Sequence, residues 1–181
     1  MTPLLRFDQL YVVSDLHFGG DAGFQIFGSR DAMVWLLDHL AARDPAQQLA
    51  LVINGDFIDF LAESDPRHFD PYGAVAKLER IALADPTFEP IFAALRRFAG
   101  TPNRHLIVNL GNHDLELALP WVRRRLFELL AGDAPEDGAA SLQQIGLQRT
   151  QGDVRTAPFP VQTRRDRARR TGERVHRAAR D

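Results

Sequence analysis

Three short runs of apolar residues, each closed by polar residues, lie between residues 10 and 112. They read LYVVSD at 10–15, LALVINGD at 49–56 and HLIVNLGN at 105–112. Each run is rich in Val, Ile and Leu and is apolar almost throughout, as is typical of strands buried on both faces of a parallel sheet. The pattern therefore predicts three buried, parallel strands.

Helical periodicity fills the segments between and after these runs. A helix over 29–44 would begin at Ser29 as its N-cap, and another over 85–100 would have Pro86 early and Gly100 after its end. Further helices are predicted over 73–85 and from Pro120 to about Gly132. Alternating strands and helices predict an α/β layered domain with right-handed crossovers, whose strands share one carboxyl-terminal edge.

The pattern weakens after residue 132, so we predict one domain over 1–132 and an irregular, disordered tail over 133–181. No strand and no internal repeat is predicted in the tail. Residues 1–150 contain 13 Lys and Arg against 20 Asp and Glu, whereas residues 151–181 contain 9 against 4. An acidic body with a basic arm suits nucleic-acid binding, while a solvated terminal charge block is the simpler interpretation.

Composition restricts the chemistry that the chain can perform. The sequence has no cysteine, so disulfides and thiolate metal sites are excluded, and any metal must be bound by carboxylate, imidazole or amide groups. No run approaches the roughly 18 apolar residues of a membrane span. The amino terminus lacks a basic start followed by a long apolar run, so we expect a cytoplasmic location.

Polar residues follow each predicted strand directly. Because parallel strands end at one edge of a sheet, these residues should converge in the crevice where α/β proteins bind ligands. Converging carboxylates repel each other, and a divalent cation would relieve that repulsion. The mixture of donors suits Mn, Fe, Zn or Mg. The residues are Asp15 and His17, then Asn54, Asp56 and Asp59, then Asn109, Asn112, His113 and Asp114.

Each cluster also has a purely structural interpretation. Asp15 and His17 would form a turn with a surface histidine. The segment NGDFID would be a plain turn, in which the Asp caps a following helix. GNHD would be a loop with Asp114 as the N-cap of the next segment. All three clusters occur in order at strand ends, and this favours the metal-site interpretation.

The motifs DLH at 15–17, GDFID at 55–59 and GNHD at 111–114 resemble successive blocks of the calcineurin-like metallophosphoesterases. The resemblance covers residues 8–131 and implies an αββα sandwich of two sheets. By resemblance, Asp15 and His17 bind one metal, Asp56 bridges two metals and Asn112 binds the second. The resemblance further implies that His113 is the catalytic acid, Asp114 orients His113, and Asp59 has a supporting role.

The resemblance implies hydrolysis of a phosphoester by a metal-bound hydroxide. Its substrate stays open among nucleotides, lipid-linked pyrophosphates, nucleic acids and phosphoproteins. Two alternatives remain: a non-catalytic remnant that binds one metal or none, and a nucleic-acid-binding protein. The second alternative depends on the arginines of the tail, which are Arg164, Arg165, Arg167, Arg169 and Arg170.

The sequence departs from the family pattern after residue 131. The family completes its centre with a lone histidine and a Gly-His-x-His block, whereas the only histidine after His113 is His176. The sandwich is therefore expected to lack its second sheet, leaving an apolar sheet face uncovered, and the second metal would keep only Asp56 and Asn112. We expect a truncated or frame-shifted member, whose frame departs between Gly132 and Thr163, with one firm metal and poor turnover.

Overall fold

The computed structural model describes residues 6–65, 67, 69–131 and 145–149. For residues 145–149 it describes the backbone. The predictions made for the arginines of the tail and for His176 lie outside these residues. The division of the chain at residue 132 also stays a prediction.

A single parallel sheet of four strands forms the centre of the described fold. The strands are β1 (Gln9–Val13), β2 (Leu49–Asn54), β3 (Arg104–Leu110) and β4 (Ile145–Arg149), in that spatial order. The register pairs Val13 with Ile53 and Asn54 with Asn109, so the first three strands end close together. The prediction of an α/β fold with parallel strands and a shared carboxyl edge is confirmed.

Helices connect the strands, as the periodicity predicts. They are α1 (Arg30–Ala41), α2 (Ala74–Glu79), α3 (Glu89–Gly100) and α4 (Pro120–Ala131), with a 3₁₀ turn at Leu115–Ala118. The predicted helix over 73–85 changes after Glu79 into a π-helical turn, Arg80–Ala84, which ends with Asp85 N donating to Arg80 O at 2.9 Å. Ser29 lies at the N-cap of α1 but makes no capping hydrogen bond through its side chain.

No helix in the described ranges combines the length and the apolar character needed to cross a membrane.

All four helices contribute to one hydrophobic core on one face of the sheet. Leu51 and Val108 from the strands join Leu37, Phe92 and Leu126 from the helices in that core. This arrangement follows from the strand order, because right-handed crossovers that always step in the same direction place every helix on the same side.

The opposite face of the sheet carries a small cluster made of Phe7, Ala50 and Ile107. On the same face, Leu10 and Val12 of β1 pair in register with Ala50 and Val52, and their exposed fractions are 39% and 57%. No second sheet occurs among the described residues. The expected apolar, partly uncovered face is therefore present at β1.

Strand β4 is the element that the sequence pattern fails to predict. It pairs in parallel with β3, from Leu106 with Ile145 to Leu110 with Arg149. Its sequence, IGLQR, has neither an apolar run nor a clear alternation. Backbone pairing with β3 stabilises this segment as a strand, although its side-chain pattern does not predict one. The prediction of no strand beyond residue 132 is therefore wrong for residues 145–149.

The completely buried guanidinium of Arg104 holds the end of α1 against the start of β3. Arg104 donates from Nε to Leu40 O at 3.0 Å and from Nη1 to Gln47 O at 2.9 Å. Its Nη2 donates to the carbonyls of Ala41, Arg43 and Asp44. Carbonyls at a helix end lack partners within the helix, and a cationic donor satisfies them well.

Substitution of Arg104 by Met should destabilise the protein strongly, because it leaves several buried carbonyls without this donor. We expect the free energy of unfolding to fall by about 3 kcal/mol or more. The matched control is Arg97→Met, which removes an exposed ion pair with Asp38 and should cost below about 1 kcal/mol. Urea unfolding measures both, and equal losses would contradict this role of Arg104.

Candidate metal centre

The loops that follow β1 and β2 continue to run side by side beyond the strands. Asp15 N donates to Gly55 O at 3.3 Å and His17 N donates to Asp56 O at 2.8 Å. Phe18 and Ile58 then form an isolated parallel bridge. Leu16, between Asp15 and His17, is buried in the core. Extended pairing of this kind brings the polar residues of both loops to one place.

Three of the predicted donors lie together at this edge. One possible ligand atom from each of Asp15, His17 and Asp56 lies within 4.8 Å of the others. His17 Nε2 is 3.9 Å from Asp56 Oδ2. Among residues 6–131 that the structure describes, no Lys or Arg forms an ion pair with Asp15 or Asp56. Two carboxylates and an imidazole without a basic partner fit a divalent cation of the Mn, Fe or Zn type.

The backbone at these donors is unusual. Asp15, His17 and Asp56 have φ angles of 54°, 48° and 48°. This left-handed conformation is uncommon for residues other than glycine, and it is especially uncommon at three neighbouring positions. Such conformations cost free energy and occur mainly at functional sites, where the surrounding structure maintains them. The donors are thus held in place at a cost to stability.

Asp59 links His17, in the loop after β1 (the first loop), to His113, in the loop after β3 (the third loop). Its carboxylate is almost fully buried, and it lies 3.0 Å from Nδ1 of His17 and 3.0 Å from Nδ1 of His113. The two rings also contact each other edge to face, with centroids 4.7 Å apart. If each Nδ1 donates to Asp59, both Nε2 atoms remain for other partners. A carboxylate behind a metal-binding histidine commonly sets its tautomer in this way.

A second possible donor group, made of His17, Asp59 and His113, is explained by these hydrogen bonds. Its two nitrogens face the same carboxylate and are already satisfied by it. We therefore assign Asp59 to positioning of the two rings, and these three residues do not form a further cation site.

The position of Asp114 corrects one expectation. The resemblance implies that Asp114 orients His113, but in the structure Asp59 makes the contact with that ring. Asp114 is completely buried and accepts hydrogen bonds from Phe57 N at 2.8 Å and Gly111 N at 2.6 Å. It lies at the N-cap of the following 3₁₀ turn without capping it through its side chain. Asp114 therefore ties the second loop to the third.

In the chain without bound cations, these contacts and burial shift the pKa values of three side chains at the centre. Burial alone would raise the pKa of Asp59, but hydrogen bonds from His113 and His17 together outweigh burial and lower it. The hydrogen bond to Asp59 raises the pKa of His113 against the opposing effect of burial. Burial raises the pKa of Asp114 to about 6, although hydrogen bonds from the backbone of Phe57 and Gly111 oppose this.

The third loop meets the second at Asp56. His113 N donates to Asp56 Oδ1 at 3.0 Å. The two glycines of these loops also approach closely, since a Cβ built on Gly55 would lie 3.6 Å from the Cα of Gly111. Asn112 lies between Gly111 and His113 and has an exposed side chain. The structure thus brings Asn112 to the same edge, and its role as ligand of a second metal stays a prediction.

Substitution of Gly111 by Ala should damage the centre. A Cβ at this position would overlap Oδ1 and the backbone N of Asp56 and lie 2.7 Å from its Cγ, so Asp56 would have to move. We expect at least a ~10-fold loss of cation affinity, in line with other changes that misplace a ligand. The matched control is Gly100→Ala at the end of α3, where a Cβ meets nothing within 4 Å. Unchanged affinity in the Gly111 variant would contradict the close packing.

The sequence indicates most of these residues, but not how they are connected. The spacing of Asp56 and Asp59 is visible in GDFID, and a supporting role for Asp59 was expected. Contact of one carboxylate with two histidines from different loops could not be read from spacing. The ion pair of Glu63 with Arg80, which lies behind the site, has no sequence signal that distinguishes it from surface charges.

A family model described as calcineurin-like phosphoesterase matches residues 9–157. The match covers most of the chain, includes all three loops and reaches beyond residue 131, where the motif resemblance ends. No curated protein and no solved structure gave a match.

Proposed function

Because the chain belongs to the calcineurin-like phosphoesterase family, we propose that it is a metal-dependent phosphoester hydrolase. The observation that carries this proposal is the convergence of Asp15, His17 and Asp56 beside His113. Divalent cations held there would activate a water molecule and neutralise charge on the phosphoryl group. The proposal includes the metal, which is Mn, Fe, Zn or Mg, and the substrate class, which is a phosphoester.

Each residue has a defined task in the proposed reaction. Asp15, His17 and Asp56 hold a first cation, and Asp56 also serves a second cation with Asn112. Asp59 keeps Nδ1 of His113 occupied, and in the chain without cations this hydrogen bond raises the pKa of His113. The Nε2–H of His113 can then donate a proton to the leaving oxygen, which is the task of a general acid. Asp114 holds the second and third loops together.

The second candidate function is the binding of one cation without catalytic turnover. It is favoured by the donor sets, since the first has three side chains whereas the second has Asp56 and Asn112 within the described residues. Even if the chain is a hydrolase, the same donor sets lead us to propose that it binds one cation firmly and turns over slowly.

The test is a Mn²⁺ titration of the full chain by calorimetry, combined with hydrolysis of an aryl phosphate monoester and an aryl phosphodiester. Mn²⁺-dependent release of the aryl alcohol that is abolished by EDTA supports a hydrolase. One bound Mn²⁺ per chain without hydrolysis supports the second candidate. A chain that binds no divalent cation contradicts both.

A further inference from the structure

A half-buried ion pair behind the metal centre connects the loop that carries Asp59 to a π-helical turn. The side chain of Glu63 is 1% exposed and forms two contacts with Arg80. Arg80 Nε donates to Glu63 Oε2 at 2.5 Å, and Arg80 Nη2 donates to Glu63 Oε1. Glu63 lies four residues after Asp59, and Arg80 is the first residue of the π-helical turn. Neither residue is a donor for a cation in the proposed function.

The ion pair holds the peptide groups of Gly20, three residues after His17. Glu63 Oε1 accepts a hydrogen bond from Gly20 N at 2.9 Å. The carbonyl of Gly20 accepts from Arg80 Nη2 at 3.5 Å and from Gln25 Nε2 at 3.4 Å. Both sides of this glycine are therefore fixed by side chains from other segments.

The π-helical turn completes the arrangement. Asp85, which follows the turn, lies with Oδ2 3.5 Å from Arg80 Nη1 and accepts from Gln25 Nε2 at 2.7 Å. Thr87 Oγ1 then donates to Gln25 Oε1 at 2.8 Å. Arg80 of the turn and Asp85 directly after it thus supply two of the groups that hold the first loop. π-Helical turns are rare in proteins and are frequent at functional sites.

The glycines explain why the first loop requires such a support. Gly19 and Gly20 have φ angles of 149° and 92°, which residues with a Cβ rarely adopt. A Cβ at Gly19 would lie 2.7 Å from the carbonyl oxygen of Asp59, so glycine permits the close approach of the two loops. Glycine also leaves the backbone free to move when nothing fixes it. The ion pair provides this restraint.

We propose that Glu63 and Arg80 are positioning residues of the metal centre, which set the placement of His17 relative to Asp59 through Gly20. Hydrogen bonds between Phe18 and Phe57, and between Asp59 and Phe18, transmit this placement along the paired loops. The cation readout of this inference rests on the proposed function, whereas its spectroscopic readout does not.

The first experiment compares Glu63→Gln with Asp38→Asn in the full chain. Asp38 forms an exposed, two-atom contact with Arg97 that joins α1 to α3 and leaves the loops untouched. Loss of a residue that orients a metal ligand typically weakens metal binding by about 10- to 100-fold. We expect Glu63→Gln to weaken Mn²⁺ binding by about 10-fold or more, and Asp38→Asn to leave it unchanged.

The second experiment records the ring ¹⁵N chemical shifts of His17 by NMR without added metal. We expect Glu63→Gln to change these shifts, because the contact of Nδ1 with Asp59 changes, and Asp38→Asn to leave them as they are. Arg80→Lys should change the His17 shifts and the Mn²⁺ affinity less than Arg80→Gln does, because lysine keeps a charged donor toward Glu63.

Three outcomes separate the possibilities. If the ion pair is purely structural, Glu63→Gln lowers the unfolding midpoint but leaves the His17 shifts and the Mn²⁺ affinity of the folded variant unchanged. This result would overturn the inference. Changed shifts in a chain that binds no Mn²⁺ would support the positioning role and overturn the proposed function. Changed shifts together with weakened binding support both.

Discussion

Substitution of Asp56 by Asn should abolish both cation binding and hydrolysis. Asp56 Oδ2 lies 3.9 Å from His17 Nε2, whereas Oδ1 accepts a hydrogen bond from His113 N at 3.0 Å. Asparagine keeps the shape of the side chain and an oxygen for that hydrogen bond, so the fold should persist while the negative charge is lost. We expect Mn²⁺ affinity to fall by at least ~100-fold, because a shared ligand serves the whole centre.

The matched control for this change is Asp31→Asn. Asp31 is an exposed carboxylate on α1 that pairs with Arg30, so its loss removes the same charge from a residue outside the proposed donor set. Calorimetric titration with Mn²⁺ and an aryl phosphate assay are run on both variants. If the Asp56 variant retains the affinity of the unmodified chain, Asp56 is not a ligand and the assignment of the centre is wrong.

Substitution of His113 by Ala should slow catalysis while sparing the metal. The His113 ring is held through Nδ1 by Asp59, and its side chain is 31% exposed, so Nε2 can reach a bound substrate. Loss of a general acid typically costs about 100-fold or more in rate. We therefore expect kcat to fall by about that factor and the Mn²⁺ dissociation constant to stay unchanged.

His39→Ala is the control for this prediction, since His39 lies exposed on α1 and stacks on Trp35. The two variants are compared in kcat and in Mn²⁺ affinity. A His113 variant that loses the cation instead of the rate would show that this ring is a ligand. A variant that keeps the full rate would remove His113 from the mechanism.

The sequence predicts the positions of the donors well because strand ends are fixed by composition. Short runs of Val, Ile and Leu favour strands, and β1, β2 and β3 end at Val13, Asn54 and Leu110, within about two residues of the predicted ends. Once the strands are known to be parallel, Asp15, Asp56 and His113 must follow at one edge. The shared edge was therefore predictable without the structure.

The contacts within the site depend on shifts of an ångström and could not be predicted from spacing. The sequence predicts Asp114 as the partner of His113, whereas the path of the loops places Asp59 against the ring. Arg104 was also missed, because arginine is rarely fully buried. Its burial depends on the carbonyls at the end of α1, which belong to a distant segment.

The order of the strands has a consequence for how the protein folds. Asp15, His17 and Asp56 lie on loops that follow two adjacent strands, so pairing of β1 with β2 already assembles the first donor cluster. Cation binding at that stage would stabilise the β1–α1–β2 unit by mass action. It would offset part of the entropic cost of closing the segment between the two strands. Asp59 can contact His113 only after β3 has paired with β2. His113, the proposed general acid, should therefore be the last part of the centre to reach its position.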